Sequence, residues 1–515
     1  MTDSSAKSPV TLVSAPGKVL VVGGYLVLDR AHSGLVVGTD ACLYAAVQTQ
    51  AKAGLASETS PSSSSTASTT IPIFVQSPQF ESAWWKYSFD VESNALAQNE
   101  SADNGTNGFV QVVLQATLGL VSQYKPAKLR QLLASSGSDG SGLKIVLLAD
   151  NDFYSQRETL EKMGLDLSSA SLEKLPRMCG TGTTLKNVHK TGLGSSAAMV
   201  TSLVGAILSH FGVVSQSDLD PSKASSEEAR RSFRLIHNIA QYTHCLAQGK
   251  VGSGFDVSAA VYGSHVYRRF SPAVLDSAMA EHSGIGEIKE AVSPENPGWD
   301  SEVVPVSIPP RFILRLADVD AGSNTPSMVK KILQWKQSDA EKASQIWCSL
   351  DRANNRIREL WASLVEASAA DSADYNRAVD WCAKHKSSSW KDAPNMANST
   401  THRLLAELVE GILKVRALQR QLGQNAQVPI EPVEQTRLLD ACMEVPGVCM
   451  AAVPGAGGYD AIFCVTLGQE ASSAVADMWA KWTEMSVGPL LANQASSGVH
   501  ILDPKQFPNV ISAFD

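Results

Sequence analysis

A glycine-rich segment that runs directly into an apolar stretch constrains the fold of this chain more than any other feature. Residues 190–198 read KTGLGSSAA, and residues 199–211 are apolar nearly all round, which predicts a helix inside a core. Glycines let backbone N–H groups approach an anion closely, and the unpaired N–H groups at a helix N-terminus attract phosphate. The segment therefore predicts a phosphate site, with an ordinary Gly/Ser helix cap as the alternative interpretation.

The residue types in this phosphate loop indicate what it could hold. Lys190 supplies a positive charge, and the hydroxyls of Ser195 and Ser196 stand where the helix begins, so they can cap it or bind a metal–phosphate complex. The loop lacks the GxxxxGK(S/T) pattern of a Walker loop, and Ala197 replaces the third glycine of a dinucleotide-binding fingerprint. It therefore matches neither of those two classes.

Two further glycine-bearing segments lie near the two ends of the sequence. Residues 14–19 (SAPGKV) predict a polar turn that contains Lys18 and leads into an apolar strand. Residues 453–460 (VPGAGGYD) form a glycine-rich turn between two strand-like runs. Three such segments at the beginning, middle and end resemble the organisation of the GHMP kinases, the superfamily of galactokinase, homoserine kinase, mevalonate kinase and phosphomevalonate kinase. The resemblance implies an ATP-dependent small-molecule kinase.

Finer residue choices resemble the fungal type of phosphomevalonate kinase. Residues 16–20 (PGKVL) and 23–29 (GGYLVLD) are similar to the opening of that branch, with Gly24 where many other GHMP kinases have Glu. The Lys-Thr pair before the phosphate loop and residues 455–460 (GAGGYD) resemble the same branch. The resemblance spans nearly the whole chain through separated motifs. It implies transfer of the ATP γ-phosphate to (R)-5-phosphomevalonate, giving (R)-5-diphosphomevalonate and ADP in the mevalonate route to isoprenoids and sterols.

A fourth segment, residues 249–264 (GKVGSGFDVSAAVYGS), places one acid, Asp256, among small residues before a helix-like run. An isolated carboxylate beside glycine turns could also be a helix N-cap. The resemblance implies that Asp256 contacts the acceptor oxygen as a general base, with Lys18 as the second catalytic residue. Because a phosphate acceptor is already ionised near neutral pH, we expect orientation by Asp256 and charge compensation by Lys18 to matter more than proton abstraction.

The chemistry of the ligands and the resemblance together predict the binding residues. The expected ATP-binding residues are Lys190, Gly192, Leu193, Gly194, Ser195, Ser196 and Ala197, with Asn104 a candidate near the adenine on its order in the chain. Because phosphomevalonate carries a carboxylate and a phosphate, the expected acceptor residues are Lys18, Tyr25, Ser253, Gly254, Asp256, Arg268, Ser323 and Thr325. The predicted C-terminal glycine-rich loop is Gly455, Ala456, Gly457 and Gly458.

Two choices within this site stay open. The alternation in residues 266–270 (VYRRF) indicates that only one of Arg268 and Arg269 faces inward. Mg²⁺ is expected with ATP because it offsets charge between the phosphates, and Ser195 or Ser196 could supply a ligand. Many relatives add a glutamate ligand, which has no evident counterpart here.

Two alternative functions remain. Mevalonate kinase, or another GHMP small-molecule kinase, shares the three glycine motifs, and the pair Gly24 and Tyr25 argues only mildly against it. A non-catalytic ligand-binding regulator on the same fold would keep the glycine loops yet lose an acid or a lysine. The presence of both Lys18 and Asp256 argues against that second alternative.

The distribution of apolar patterns predicts an α+β architecture of two intimately joined domains. Strand-like runs concentrate early, helical spacing dominates the middle, and residues 450–465 predict a strand, a glycine-rich loop and a strand. We expect domains at residues 1–300 and 301–515, with a flexible Ser-rich insertion at about 51–70. The resemblance implies a ribosomal-S5-like ATP domain followed by an α/β sandwich.

Composition excludes several partner classes. The formal net charge is −8 without a long Lys/Arg run, which argues against nucleic acid or an anionic membrane as partner. No run approaches the roughly 18 apolar residues of a membrane span, and the eight cysteines show no CxxC pair. We therefore expect a cytoplasmic protein with no membrane insertion, as a monomer or a dimer.

Overall fold

The computed structural model describes residues 8–51, 69–102, 105–134, 141–223, 225–319, 325–394 and 396–514. The strands are β1 (Thr11–Val22), β2 (Ser33–Ala51), β3 (Thr70–Gln76), β4 (Trp84–Asp90), β5 (Ala95–Ser101), β6 (Ser141–Ala149), β7 (His265–Arg268), β8 (Glu302–Pro305), β9 (Phe312–Val319), β10 (Val448–Ala452), β11 (Ala461–Leu467), β12 (Val487–Pro489), β13 (Gln494–Ala495) and β14 (His500–Leu502).

The helices are α1 (Gly108–Tyr124), α2 (Pro126–Ala134), α3 (Arg157–Lys162), α4 (Ser169–Leu172), α5 (Ser195–His210), α6 (Glu227–Gln248), α7 (Phe255–Tyr262), α8 (Ile285–Ala291), α9 (Thr325–Ser338), α10 (Ala340–Ala370), α11 (Ser372–Cys382), α12 (Thr400–Ala426), α13 (Val433–Met443), α14 (Gln469–Ala480) and α15 (Pro508–Ser512). Among the ranges described, no helix is both long enough and apolar enough to cross a membrane.

The larger sheet has the strand order β14-β1-β2-β6-β3-β4-β5, with β7 and β13 also pairing with β2, and β8 pairing with β7. Its pairings are antiparallel except for the parallel pair β3–β6. The predicted turn at residues 14–19 is wrong, because these residues belong to β1, whose register against β2 shifts between Pro16 and Lys18. A bulge of this kind twists the strand and changes the direction of the next side chain, and here that side chain is Lys18.

Helix α5 is the buried helix that the apolar run predicted. It packs on β1 and β2 and is flanked by α1, α6 and α7. Val200, Leu203, Val204 and Ile207 are completely buried along it. Helices α5 and α7 both pack against β1, and both begin beside Lys18, α5 after Gly194 and α7 at Phe255.

The smaller sheet has the order β10-β11-β9-β12 and is antiparallel throughout. The long helices α10 and α12 pack against each other, and α12 also covers β10. Strands β10 and β11 confirm the strand–loop–strand prediction for residues 450–465. One hydrophobic cluster contains buried residues of both sheets, including Val13 of β1 and Phe463 of β11. The mixed α+β fold with intimately joined halves is as predicted.

The division of the chain at residue 300 stays a prediction, and the two sheets do not follow it strictly. Strand β8 pairs with β7, and the late strands β13 and β14 return to β2 and β1 of the larger sheet. The predicted flexible insertion at 51–70 lies largely outside the described residues. β2 ends at Ala51 and β3 begins at Thr70, the two limits of that range.

Candidate active site

Two glycines determine the backbone conformation of the phosphate loop. Gly192 and Gly194 both have φ of +82°, a left-handed backbone conformation that residues with a Cβ adopt only at a cost. A Cβ added at Gly194 would also lie 3.0 Å from Cε of Lys18. Gly194 is the N-cap of α5, so the unpaired N–H groups of the first turn, which contains Ser195 and Ser196, begin at this loop. The arrangement provides the backbone donors and helix dipole that a phosphate requires.

Lys18 is attached to the phosphate loop at two points. Its backbone N–H donates to the carbonyl of Leu193 at 3.0 Å, and its Nζ donates to the carbonyl of Gly192 at 2.7 Å. The Nζ also lies 5.5 Å from the ring centroid of Phe255. Burial lowers the pKa of Lys18, and the negative charge of Asp256 partly opposes that shift. Lys18 is therefore a partly desolvated cation held between the loop and α7.

Asp256 lies in the first turn of α7, which begins after Gly254, a glycine with φ of +82°. Its Oδ2 lies 3.9 Å from Nε2 of His244 on α6, and the same Nε2 is 3.1 Å from Oγ of Ser196 on α5. His244 is 4% exposed. The histidine therefore connects the predicted acid to the predicted phosphate loop. Sequence reasoning missed it, because a single histidine inside a helix carries no ligand spacing.

The C-terminal glycine-rich loop packs against the N-terminal segment. Tyr25 Oη donates to the carbonyl of Ala456 at 2.8 Å, and the N–H of Gly455 donates to the carbonyl of Leu20 at 3.3 Å. Gly457 has φ of +71°, and a Cβ there would lie 2.1 Å from the carbonyl oxygen of Ile430. Only glycine fits this position, and the loop forms a fixed wall facing Lys18.

These segments enclose a cleft of about 210 Å³. Its lining residues are Lys18, Gly24, Tyr25, Val27, Leu28, Gly192, Ser253, Phe255, Thr325, Val329, Pro454, Gly455, Ala456, Gly457, Asp460 and Ala461. The structure thus brings the early, middle and late glycine segments to one place, together with the predicted acceptor residues Tyr25, Ser253 and Thr325.

Other predicted residues are placed differently. Arg268 pairs with Glu302 at 3.3 Å on the strand pair β7–β8 and is not among the residues that line the cleft, and neither are Gly254 and Asp256. Arg269 is the inward residue of the pair, and it donates to the carbonyls of Leu28 and Gly252, each at 2.6 Å. Arg268 is the last residue of β7 and Arg269 follows it, so the two arginines have different partners, Glu302 of β8 and the carbonyls of Leu28 and Gly252.

The remaining predicted ligand residues divide into two groups. Asn104 and Ser323 lie outside the described residues. Lys190 forms an isolated antiparallel β-bridge with Tyr154 directly before the phosphate loop, and Lys190 is exposed to solvent. Phe109, at the start of α1, lies with its ring centroid 5.5 Å from that of His244. The chain just after the predicted adenine position therefore does reach this site.

The oxygen ligands available at this site fit a Mg²⁺ ion that is bound mainly through the phosphates of the nucleotide. Mg²⁺ prefers oxygen ligands and in kinases takes one or two from the protein. The hydroxyls of Ser195 and Ser196 and the carboxylate of Asp256 are such oxygens at the start of α5 and α7. Within the described ranges no cluster of three or more His, Cys, Asp or Glu side chains could hold a metal ion alone.

Comparison with known proteins gives a consistent set of relatives. The chain is 38% identical over 504 residues to a protein of Arabidopsis thaliana named peroxisomal phosphomevalonate kinase, covering 95% of each chain. It is 37% identical over 476 residues to a phosphomevalonate kinase of Aspergillus fumigatus, covering 88% of this chain and 86% of the other. No family model matches the sequence.

Solved structures share the fold at low sequence identity. The Lin0012 protein of Listeria innocua has a TM-score of 0.60 at 14% identity, covering 96% of this chain and 100% of the other. The phosphomevalonate kinase of Streptococcus pneumoniae, solved with phosphomevalonate and AMPPNP, has a TM-score of 0.52 at 14% identity, covering 94% of this chain and 99% of the other. These likenesses concern the fold alone.

Proposed function

The chain belongs to the phosphomevalonate kinase family and has the GHMP kinase fold, and we propose that its cleft transfers the γ-phosphate of ATP to (R)-5-phosphomevalonate. The products are (R)-5-diphosphomevalonate and ADP. One observation carries the proposal: Lys18 donates a hydrogen bond to Gly192 of the phosphate loop, and its Nζ lies 5.5 Å from the ring centroid of Phe255, the neighbour of Asp256 in the first turn of α7. The identity of 38% over nearly the full length supports the choice of acceptor.

The nucleotide phosphates are proposed to lie over residues 192–196. The N–H groups of the loop and of the first turn of α5 bind the phosphate oxygens, and the helix dipole favours their negative charge. Mg²⁺, when bound with ATP, neutralises charge between the β- and γ-phosphates. Ser195 and Ser196 are the residues proposed to hold it, because their hydroxyls stand at the start of the helix.

The acceptor is proposed to enter between Lys18 and the C-terminal glycine-rich loop. An oxygen of its phosphate attacks the γ-phosphorus, the bond to the β–γ bridging oxygen breaks, and ADP leaves with the electron pair. Two anions must approach each other, and the Lys18 ammonium reduces their repulsion. Because Lys18 is partly desolvated, its charge acts more strongly than it would in water.

Asp256 is proposed to orient the acceptor rather than to remove a proton. A phosphate oxygen is already ionised near neutral pH, so positioning and electrostatics dominate this transfer. Ser253 and Thr325 line the cleft and supply hydroxyls for the phosphate or carboxylate of the acceptor. Arg269 holds the wall of the cleft by its hydrogen bonds to Leu28 and Gly252.

Product analysis by ³¹P NMR tests this function. The protein is incubated with Mg-ATP and one acceptor at a time: 5-phosphomevalonate, mevalonate, galactose or homoserine. The proposal expects the coupled phosphorus signals of a new diphosphate ester with phosphomevalonate and no new ester with the other three. A new phosphate monoester from mevalonate would support the mevalonate kinase alternative instead. ATP binding without any ADP release would support the regulator alternative.

The location of the protein in the cell and its oligomeric state stay predictions. We expect a cytoplasmic location, whereas the name of the plant relative places that relative in the peroxisome. Localisation of the full-length protein with a small internal tag would test it. The expectation of a monomer or dimer is tested by light scattering on the purified protein.

A further inference from the structure

A second and larger cavity lies away from the cleft, at the other ends of α6 and α7. It encloses about 770 Å³, which is within the size range of small-molecule sites. Its lining residues are Pro221, Arg230, Phe233, Arg234, His237, Asn238, Val261, Tyr262, Pro294, Asn296, Trp299, Ser301, Val303, Pro305, Ser496, Ser497, Gly498, Val499 and His500. None of these residues lines the cleft of the candidate active site.

The cavity and the active site lie at opposite ends of the same two helices, α6 and α7. On α6, Arg234 lines the cavity and His244 lies beside Asp256, ten residues and about 15 Å further along the helix at 1.5 Å per residue. On α7, Asp256 is in the first turn and Tyr262 is the last residue. A molecule in this cavity would therefore not contact the transferred phosphate.

The body of the cavity is aromatic. The ring of Phe233 lies 6.4 Å from that of Tyr262, and the ring of His237 lies 5.5 Å from the rings of both Tyr262 and Trp299. Burial lowers the pKa of His237 to about 4, so this histidine is neutral near pH 7. The wall is suited to a planar or hydrocarbon group.

Arginine supplies the positive charge of the cavity. Arg230 and Arg234 project from one face of α6, and both contact Glu227, at 3.6 Å and 2.9 Å. One carboxylate thus faces two guanidinium groups, and the Nε of Arg234 is buried with no hydrogen-bond partner in the part of the chain described. Among the lining residues there is no Asp or Glu. The cavity therefore has an excess positive charge and an unused donor.

The opposite wall is held in place by the C-terminal segment. The N–H of Val499 donates to the carbonyl of Val261 at 3.1 Å. A Cβ added at Gly498 would lie 1.9 Å from that same carbonyl oxygen, so only glycine permits this close approach. The segment that carries Ser496 and Ser497 therefore packs directly on α7. This wall of the cavity is fixed in position by those contacts.

We propose that this cavity binds an amphipathic organic anion. Its phosphate, sulfonate or carboxylate head binds Arg230 and Arg234, and its aromatic or hydrocarbon body lies between Phe233, Tyr262 and Trp299. Arginine suits this head because its planar fork forms paired hydrogen bonds to anionic oxygens. The site is separate from the cleft, so its ligand and the substrates bind at the same time.

The test uses 8-anilinonaphthalene-1-sulfonate, an aromatic sulfonate whose fluorescence rises in apolar surroundings, titrated into the full-length protein saturated with Mg-ADP and phosphomevalonate. We expect saturable binding of one probe per chain under these conditions. Arg234→Gln is expected to weaken binding about tenfold, as for the loss of a charged hydrogen bond. Arg231→Gln is the matched control, because Arg231 is on the same helix yet pairs with Glu295 and does not line the cavity.

Two further measurements complete the test. N-phenyl-1-naphthylamine has the same aromatic body without the sulfonate and is expected to bind much more weakly. Arg230→Gln, on a mostly exposed side chain, repeats the test if Arg234→Gln does not fold. Displacement by the active-site ligands, equal binding of the two probes, or equal effects of the Arg231 and Arg234 variants would each overturn the proposal.

Discussion

The ammonium of Lys18 and the carbonyl oxygen of Gly192 are joined by a hydrogen bond of 2.7 Å. A second bond, from the Lys18 backbone N–H to Leu193, attaches the phosphate loop to β1. The positive charge and the backbone donors of the loop therefore hold one position relative to each other before any ligand binds. Preorganisation of this kind is what phosphoryl transfer needs, because its catalysis is mainly positioning and electrostatics.

The contact between His244 and Ser196 is expected to position the serine hydroxyl. We predict that His244→Phe, which keeps an aromatic ring against Phe109, lowers kcat about tenfold through loss of one polar contact in a network. Ser196→Ala should have a similar effect, and the double variant should be no worse than either single one, because both remove the same contact. Steady-state kinetics on the three variants measures this. Strictly additive losses would show that the two residues act independently.

Asp152 is predicted to make stability depend on pH. Its carboxylate accepts the N–H groups of Leu491 and Ala492, and burial raises its pKa from 3.8 to about 6. The folded state therefore keeps a proton that the unfolded chain loses, so stability falls as pH rises from about 4 to about 6. We expect Asp152→Asn to remove this fall, on the order of 2 kcal/mol after allowance for partial screening.

Urea unfolding of both proteins at several pH values measures the Asp152 effect. The stability of Asp152→Asn relative to the unchanged protein should rise between pH 4 and pH 7. A difference that stays constant over this range would contradict the assignment.

The C-terminal glycine-rich loop offers a matched pair of substitutions. Gly455→Ala meets no atom within 4 Å and is expected to cost only the left-handed backbone strain, about 1–2 kcal/mol. Gly457→Ala has the same strain and also places a Cβ 2.1 Å from the carbonyl of Ile430, so the loop must move. We predict a clearly larger loss of melting temperature and a higher KM for Gly457→Ala. Equal behaviour of the two variants would show that the loop is not held at Ile430.

The neighbouring arginines at the end of β7 and directly after it provide a second matched pair. Arg269→Gln removes hydrogen bonds to Leu28 and Gly252, which line or adjoin the cleft, and should raise the KM for the acceptor about tenfold or more. Arg268→Gln removes only a half-exposed pair with Glu302 and should change neither kcat nor KM by more than about twofold. Kinetics of both variants distinguishes them. A larger effect at Arg268 would restore it as the acceptor residue.

Several parts of this site could be predicted from the sequence because their chemistry is local. Gly192, Gly194 and the serines after them form a continuous signal, and the apolar run after them predicted the buried helix α5. The three glycine segments could be joined only through family resemblance, since nothing in their spacing along the chain shows that they meet.

Other parts depend on contacts that a sequence does not show. His244 is 12 residues before Asp256 on a different helix, and only the packing of α6 on α5 and α7 makes it a partner of Ser196. Alternation in residues 266–270 predicted that only one of Arg268 and Arg269 faces inward. It could not predict which one, because that choice depends on which face of the sheet is covered. The strands β13 and β14 are too short for any periodicity, so their return to the larger sheet could not be predicted.

The most direct test of the account is coupled ADP release with Mg-ATP and either 5-phosphomevalonate or mevalonate, on the unchanged protein and on Lys18→Met and Asp256→Asn. Lys128→Met, at an exposed lysine of α2, is the control. The account predicts turnover with phosphomevalonate alone and a fall in kcat of about 10²–10³-fold in Lys18→Met, with little change in ATP binding. It also predicts reduced turnover in Asp256→Asn and none of these losses in Lys128→Met. Comparable turnover of mevalonate, or unchanged turnover in the two cleft variants, would contradict it.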